Sequence, residues 1–304
     1  MRRNTALLAS AALGAVAIGE FYRFVFVNPS DPILERYVRP VGHEDWYYER
    51  RDGDEARIRS LPCREYSLTS VRGKKLKGFY YLCGDKPSGK IAFIIHGYRA
   101  EHAVAAGIHF DYYISRGYDV FCPDHEAAGE SEGHVIGYDY FESQDCLNWL
   151  NFLIKELGED IQIVLHGYSM GGGTVLKMSD RVPEQVKFIV SDSGFDSAEN
   201  ILNCQVGQTV CRVLRVMNRV IGGYDLRDTD VRENMKNSRI PILFVHGELD
   251  ETVPYYMGPE LYELYGGEKD CLFVPGARHI ESMYIAPEQY TEKLDSFAEK
   301  YIRQ

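Results

Sequence analysis

The sequence predicts an α/β protein, a mostly parallel β-sheet covered by helices on both faces, and three observations predict it. Short continuous apolar runs recur, among them Ile91-Ala92-Phe93-Ile94-Ile95, Ile161-Gln162-Ile163-Val164-Leu165 and Val186-Lys187-Phe188-Ile189-Val190, as strands buried on both faces require. Helix-patterned segments separate them. The clearest is 140–157, where Cys146, Leu147, Leu150, Leu153, Ile154 and Leu157 form one apolar stripe. Finally, the run 161–165 leads directly into Gly167-Tyr168-Ser169-Met170-Gly171, a glycine-flanked turn that can carry a strand into a helix.

The remaining elements follow in order. Residues 28–65 read as a connector, with Pro29, Pro32, Pro40 and Pro62 and a weakly periodic helix around Glu44-Asp45-Trp46-Tyr47-Tyr48. The main folded domain is expected over 66–304. It opens with an antiparallel hairpin, 66–71 and 76–82, turning at Arg72-Gly73. A helix near 103–115 precedes the strand Tyr118-Asp119-Val120-Phe121-Cys122, and later strands lie at 242–245 and 271–274 before a last helix over 287–301. Residues 191–241 interrupt the alternation. Within them Leu202, Val206, Val210, Val213, Met217 and Val220 recur at helical spacing as far as Gly222-Gly223. This predicts a helical cap insertion around 195–237, a roof over the site rather than a helix that merely packs on the body.

Composition bounds the function. The 304 residues are 45% hydrophobic and 26% charged, ordinary for a globular protein. The net charge of −11 argues against nucleic acid as a partner, because phosphate binding needs a basic face. Seven cysteines are scattered without a Cys-x-x-Cys, a poor disulfide framework and a poor zinc site. Cys83, Cys122 and Cys271 sit in or beside strand-like runs and read as buried thiols.

The N-terminus is set apart. Met1-Arg2-Arg3 precedes an uncharged run, Thr5 to Gly19, and the apolar pattern resumes at Phe21-Tyr22 and Phe24-Val25-Phe26-Val27. A basic start and such a run fit a signal anchor over 1–27, or a signal peptide cleaved after Ala15-Val16-Ala17. Membrane attachment with the main domain, 66–304, outside the cytoplasm is expected, or secretion if the segment is cleaved.

Ser169, at the apex of its turn, is placed to be a nucleophile. The glycines around it leave room where side chains would collide, and the N–H of Met170, at the helix start, faces a developing oxyanion. A serine needs a base. His96, His166 and His246 each end an apolar strand and precede a glycine, so they line the carboxyl edge of the sheet. His279 ends Val274-Pro275-Gly276-Ala277-Arg278-His279, on a loop that can bring it over the serine. Among carboxylates, Asp250 in His246-Gly247-Glu248-Leu249-Asp250-Glu251-Thr252-Val253-Pro254 is the first choice. Glu248 and Glu251 are alternatives beside it, and Asp192 in Ser191-Asp192-Ser193-Gly194 is one from another strand.

With His96-Gly97-Tyr98, the serine pentapeptide, the Asp250 segment and Gly276-Ala277-Arg278-His279 in this order, the chain resembles the alpha/beta-hydrolase family, in its serine aminopeptidase-like and esterase-like branch. The resemblance covers roughly residues 66 to 302. It implies an alpha/beta-hydrolase fold and a Ser169-His279-Asp250 triad. It also implies an oxyanion hole built from the N–H groups of Met170 and Tyr98, with the Tyr98 hydroxyl either a third donor or a packing group. One stretch departs from the family pattern D-x-R-G-x-G-x-S: here it reads Asp124-His125-Glu126-Ala127-Ala128-Gly129-Glu130-Ser131, without the arginine. These side chains are not expected to bind metal, because neighbours on an extended chain point apart. The expected chemistry is acyl transfer from a small-molecule ester, with no metal or organic cofactor, the rate falling as pH drops through the imidazole range near ~6.5. The competing readings are a serine peptidase or amidase, and a membrane-tethered binding protein without catalysis.

Overall fold

The structure is a computed structural model that describes residues 16–27 and 43–303. Its centre is an eight-stranded sheet in the order β1-β2-β4-β3-β5-β6-β7-β8. The strands are β1 (Arg64–Thr69), β2 (Lys75–Tyr81), β3 (Lys90–Ile95), β4 (Asp119–Asp124), β5 (Gln162–Tyr168), β6 (Val186–Asp192), β7 (Ile242–Gly247) and β8 (Lys269–Val274). β1 and β2 form the hairpin and β2 pairs antiparallel with β4. All other neighbours are parallel.

The helices are α1 (residues 16–26), then α2 (Asp45–Ser60), α3 (His102–Ser115), α4 (Tyr140–Leu157), α5 (Met170–Lys177), α6 (Ala198–Val206), α7 (Gln208–Ile221), α8 (Arg232–Asn237), α9 (Met257–Leu264), α10 (Ser282–Ile285) and α11 (Pro287–Tyr301). Successive β3 side chains alternate between the two faces. Ala92 and Ile94 meet Ala106 and Tyr113 of α3 and Tyr290 and Leu294 of α11, in one core. Ile91, Phe93 and Ile95 meet Trp149 and Leu150 of α4 and Val175 of α5 in the other. The chain runs from β3 outward to β4 and returns to β5 on the other side of β3. The carboxyl ends of β3 and β5 thus flank a topological switch point, where open α/β sheets bind ligands.

Four expectations change. The weakly periodic helix expected within the connector runs over Asp45–Ser60, and as α2 it packs on α3 so closely that a methyl at Gly107 would lie 2.8 Å from the Asp54 Cβ. Ile58 is fully buried in the same core as α3, and Arg57 pairs with Asp111 at 2.9 Å. Residues 28–42 of the expected connector lie outside the described residues.

The N-terminal segment also differs. Its first fifteen residues lie outside the described ones, but residues 21–27 belong to the folded body. Tyr22, Val25 and Phe26 are buried in a third core that includes Met170, Tyr138 and Leu214, so the span cannot extend to Val27 as a free anchor. Among the described residues no helix is long and apolar enough to cross a membrane.

The cap lies between β6 and β7 as expected, but its apolar stripe is not one helix face. Gly207, at φ +80, ends α6 and α7 starts at a new angle. Cys211, Leu214 and Asn218 are the buried residues of α7, whereas Val210, Val213 and Val220 are exposed. Among the thiols, Cys122 is buried, while Cys83 and Cys271 are only half-buried; all seven cysteines are free.

Candidate active site

β5 delivers the chain to the switch point and α5 leaves it, with Ser169 between. Its backbone sits at φ 54, ψ −116, a conformation costly for a side-chain-bearing residue. Two glycines make the turn possible. A Cβ at Gly167 would collide with the Gly171 carbonyl, and one at Gly171 with the Ile95 carbonyl of β3. The serine N–H is held by the Asp192 carbonyl of β6 at 2.9 Å.

His279, on the loop after β8, places Nε2 2.9 Å from the Ser169 Oγ and Nδ1 2.7 Å from the Asp250 Oδ2. With Nδ1–H donating to the carboxylate, Nε2 is left to accept from the serine hydroxyl. Asp250 follows β7, and its Oδ1 accepts the N–H groups of Thr252 and Val253, each at 2.9 Å. His246 Nε2 lies 3.3 Å from its Oδ2. Burial pushes this carboxyl up, but the facing His279 and His246 outweigh burial and hold it well below the usual carboxylate range. All three side chains are buried, Ser169 being the most open at 9% exposure.

The β3–α3 loop closes over the serine. A Cβ at Gly97 would lie 3.1 Å from the Ser169 Cβ and 3.7 Å from its Oγ, which brings the Gly97–Tyr98 peptide alongside the nucleophile. Met170 opens α5, so its N–H has no acceptor within the helix. The Tyr98 hydroxyl is engaged elsewhere, donating to the Val25 carbonyl at 2.8 Å.

The other candidates are placed apart from this constellation. Asp192 does not reach His279. Its Oδ2 accepts from Tyr290 at 2.8 Å and its Oδ1 from Ser193 at 3.0 Å, and burial, only partly offset by those hydrogen bonds, pushes it up to about 6. His96 bridges the Gly97 carbonyl and the His125 N–H. His166 lies between Tyr113 and Tyr290. These two histidines are buried structural bridges. Glu248 and Glu251, unlike Asp250, are solvent-facing.

Asp124, His125 and Glu126 do not converge. Asp124 meets His102 Nδ1 at 3.1 Å, Glu126 meets Arg72 at 3.1 Å, and His125 packs on the His96 ring. Among the described residues, Glu101, His102 and Asp124 alone have metal-ligand spacing. A single imidazole nitrogen, however, serves both carboxylates, at 3.0 and 3.1 Å. Burial opposes protonation, but the two carboxylates push this imidazole up to about 9.

Two contributors were not singled out from sequence. Glu281 accepts the Arg278 N–H at 3.0 Å and pairs with His43 at 2.6 Å, bracing the loop that carries His279. The second is the α1 segment above the site. The position of Glu281, two residues past His279, is the only hint of the first; nothing in the apolar run from Phe21 marks the second.

An alpha/beta hydrolase fold model matches residues 93–210. Over 240 residues the chain is 22% identical to the uncharacterized protein YqkD of Bacillus subtilis (strain 168), covering 76% of this chain and 78% of that one. Over 221 residues it is 26% identical to the uncharacterized protein YfhR of Escherichia coli (strain K12), covering 71% and 72%. Among solved structures, the Pyrococcus furiosus esterase Pf2001 superposes with a TM-score of 0.64 at 16% identity, over 87% of this chain and 99% of that one. Est1E from Butyrivibrio proteoclasticus gives 0.56 at 17%, over 77% and 99%. The Pyrococcus horikoshii acylaminoacyl peptidase gives 0.59 at 16%, over 81% of this chain and 43% of that one. The chain has the alpha/beta-hydrolase fold. The solved structures that share it include esterases and a peptidase.

Proposed function

We propose that this protein is a serine hydrolase that cleaves small carboxylic esters through an acyl-enzyme. The observation that carries the reading is His279 bridging Ser169 and Asp250 at 2.9 and 2.7 Å. In the proposed reaction the Ser169 Oγ attacks the carbonyl carbon while His279 Nε2 takes its proton. The tetrahedral oxyanion is received by the N–H groups of Met170 and Tyr98, each such donor contributing roughly 2.7–4 kcal/mol. His279 then gives the proton to the leaving alcohol. Water, deprotonated by the same imidazole, releases the acid. Asp250, held ionised, keeps the Nδ1–H tautomer and stabilises the imidazolium.

Fluorophosphonate labelling tests this. The full-length chain should label at Ser169 and Ser169→Ala should not; labelling that survives the substitution would refute the assignment. A peptidase or amidase reading is favoured by the likeness to the acylaminoacyl peptidase. Turnover of p-nitrophenyl esters against aminoacyl-p-nitroanilides separates the two, a faster anilide reaction overturning the ester preference. Membrane tethering rests on sequence, Arg2-Arg3 followed by the uncharged run Thr5–Gly19, with the body outside the cytoplasm. The expected result is retention of the full-length chain in membranes after alkaline carbonate; full release would overturn the tether.

A further inference from the structure

The end of α1 is built into the site. A helix leaves its last four carbonyls without partners of its own. Here every one is taken. The Arg23 carbonyl accepts the Val27 N–H at 2.9 Å and the Phe26 carbonyl accepts the Ile136 N–H at 2.8 Å. The Val25 carbonyl accepts the Tyr98 hydroxyl at 2.8 Å. The Phe24 carbonyl accepts the same hydroxyl at 3.2 Å and also the Arg99 guanidinium. Arg99 reaches the Val27 carbonyl too, at 3.2 Å, and lies over the Phe24 ring at 5.1 Å. A cation at a helix C-terminus complements the dipole.

Two of these donors, Tyr98 and Arg99, directly follow Gly97 on the loop beside Ser169. Arg99 has a backbone φ of 53, left-handed for a residue with a side chain, and such a conformation persists only when its surroundings enforce it. The same segment is fastened on its other sides. Tyr22 donates to Asn218 of α7 at 3.0 Å, and Phe26, fully buried, packs on Tyr138 with ring centroids 5.4 Å apart. One short stretch thus ties the β3–α3 loop to the cap and to the chain at 135–138.

We propose that residues 22–27 are a positioning clamp for the oxyanion hole. The carbonyls of Phe24 and Val25 hold the Tyr98 and Arg99 side chains, and through them keep the Tyr98 N–H aimed at the oxyanion. The inference rests on the serine-hydrolase reading above. It makes the N-terminal segment part of the catalytic apparatus and not only a leader or tether. The clamp acts on a donor that matters most in the tetrahedral state, so its loss lowers kcat and leaves KM almost unchanged.

The test uses the full-length chain with Tyr98→Phe, Arg99→Met and Phe26→Ala. Ester turnover is normalised to fluorophosphonate-reactive sites, so misfolded molecules do not count. Alongside it, the affinity of a trifluoromethyl ketone, which forms a tetrahedral adduct with the serine, is measured. Tyr98→Phe keeps the backbone N–H and loses only the hydroxyl. It should lower kcat per site about tenfold, keep KM within about twofold and weaken the ketone about tenfold, as loss of a transition-state contact requires. Should Phe26→Ala fail to fold, Arg99→Lys, which keeps the charge and loses the forked guanidinium, decides the point by the same readouts. Unchanged kcat per site and ketone affinity in Tyr98→Phe and both Arg99 variants would overturn the clamp while leaving the labelled Ser169 standing. A wild-type chain that fails to label would overturn the hydrolase reading and the clamp with it.

Discussion

At Ser169 the backbone is strained so that a hydroxyl can stand free above the sheet, and the neighbouring residues show what holds it there. Gly171 lies against the Ile95 carbonyl with no room for a methyl. Gly171→Ala is therefore expected to cost more than about 3 kcal/mol, or to prevent folding, measured by urea denaturation; a stability within about 0.5 kcal/mol of wild type would show that the elbow can relax. Asp250 makes a sharper prediction about chemistry. With its amide isostere the buried site keeps its shape, but His279 loses the acceptor that fixes Nδ1–H. Asp250→Asn should reduce kcat by about 10³–10⁴-fold with KM little changed, read from steady-state ester hydrolysis. A loss below about tenfold would remove Asp250 from its proposed role.

Among the elements, α7 shows how periodicity and packing part company. Its apolar residues run through most of a turn of the helix, so spacing alone could not tell which of them meet the protein. Leu214 is fully buried in the core above the site, whereas Val220 is 82% exposed. Leu214→Ala should destabilise by about 2–5 kcal/mol and Val220→Thr by less than about 0.5 kcal/mol, in the same denaturation assay. Equal effects would mean that α7 sits otherwise than described. The helix carries Arg212, Arg215 and Arg219 and no acidic residue; its partners come from outside it, Glu199 for Arg215 and Asp225 for Arg219. α2 makes the complementary point. Its weak periodicity marked a helix but neither its length nor its docking, through Ile58 and the Asp54–Gly107 contact, against α3.

For the whole molecule, the buried His102 between Glu101 and Asp124 links stability to pH. Its folded pKa of about 9 stands above the ordinary 6.5. A raised imidazole contributes fully below the unfolded value and its contribution disappears as pH rises through the folded one. Thermal stability should therefore decline between pH 6.5 and 9, by an amount on the order of 3 kcal/mol for a shift of this size, and His102→Gln should flatten that part of the curve. A wild-type profile as flat as that of the variant would mean the imidazole is neutral. The prediction concerns unfolding, not turnover, because His102 touches none of the three side chains around Ser169 Oγ.

By itself the sequence determined the alternation of buried strands and helices, the turn at Ser169 and the order in which Asp250 and His279 follow it. These are local facts: a strand buried on both faces must be continuously apolar, and a tight strand-to-helix turn must have glycines where the backbone crosses its neighbours. Only the tertiary structure decided that Asp250 and not Asp192 meets His279, since both follow strands and a difference of strand position is invisible in spacing. It also decided that residues 21–27 serve the folded body. An apolar, aromatic run has the same composition whether it faces lipid or the interior of its own protein, and what distinguishes the two is where the last carbonyls of the helix find their donors. Those donors, Tyr98, Arg99 and Ile136, lie far along the chain.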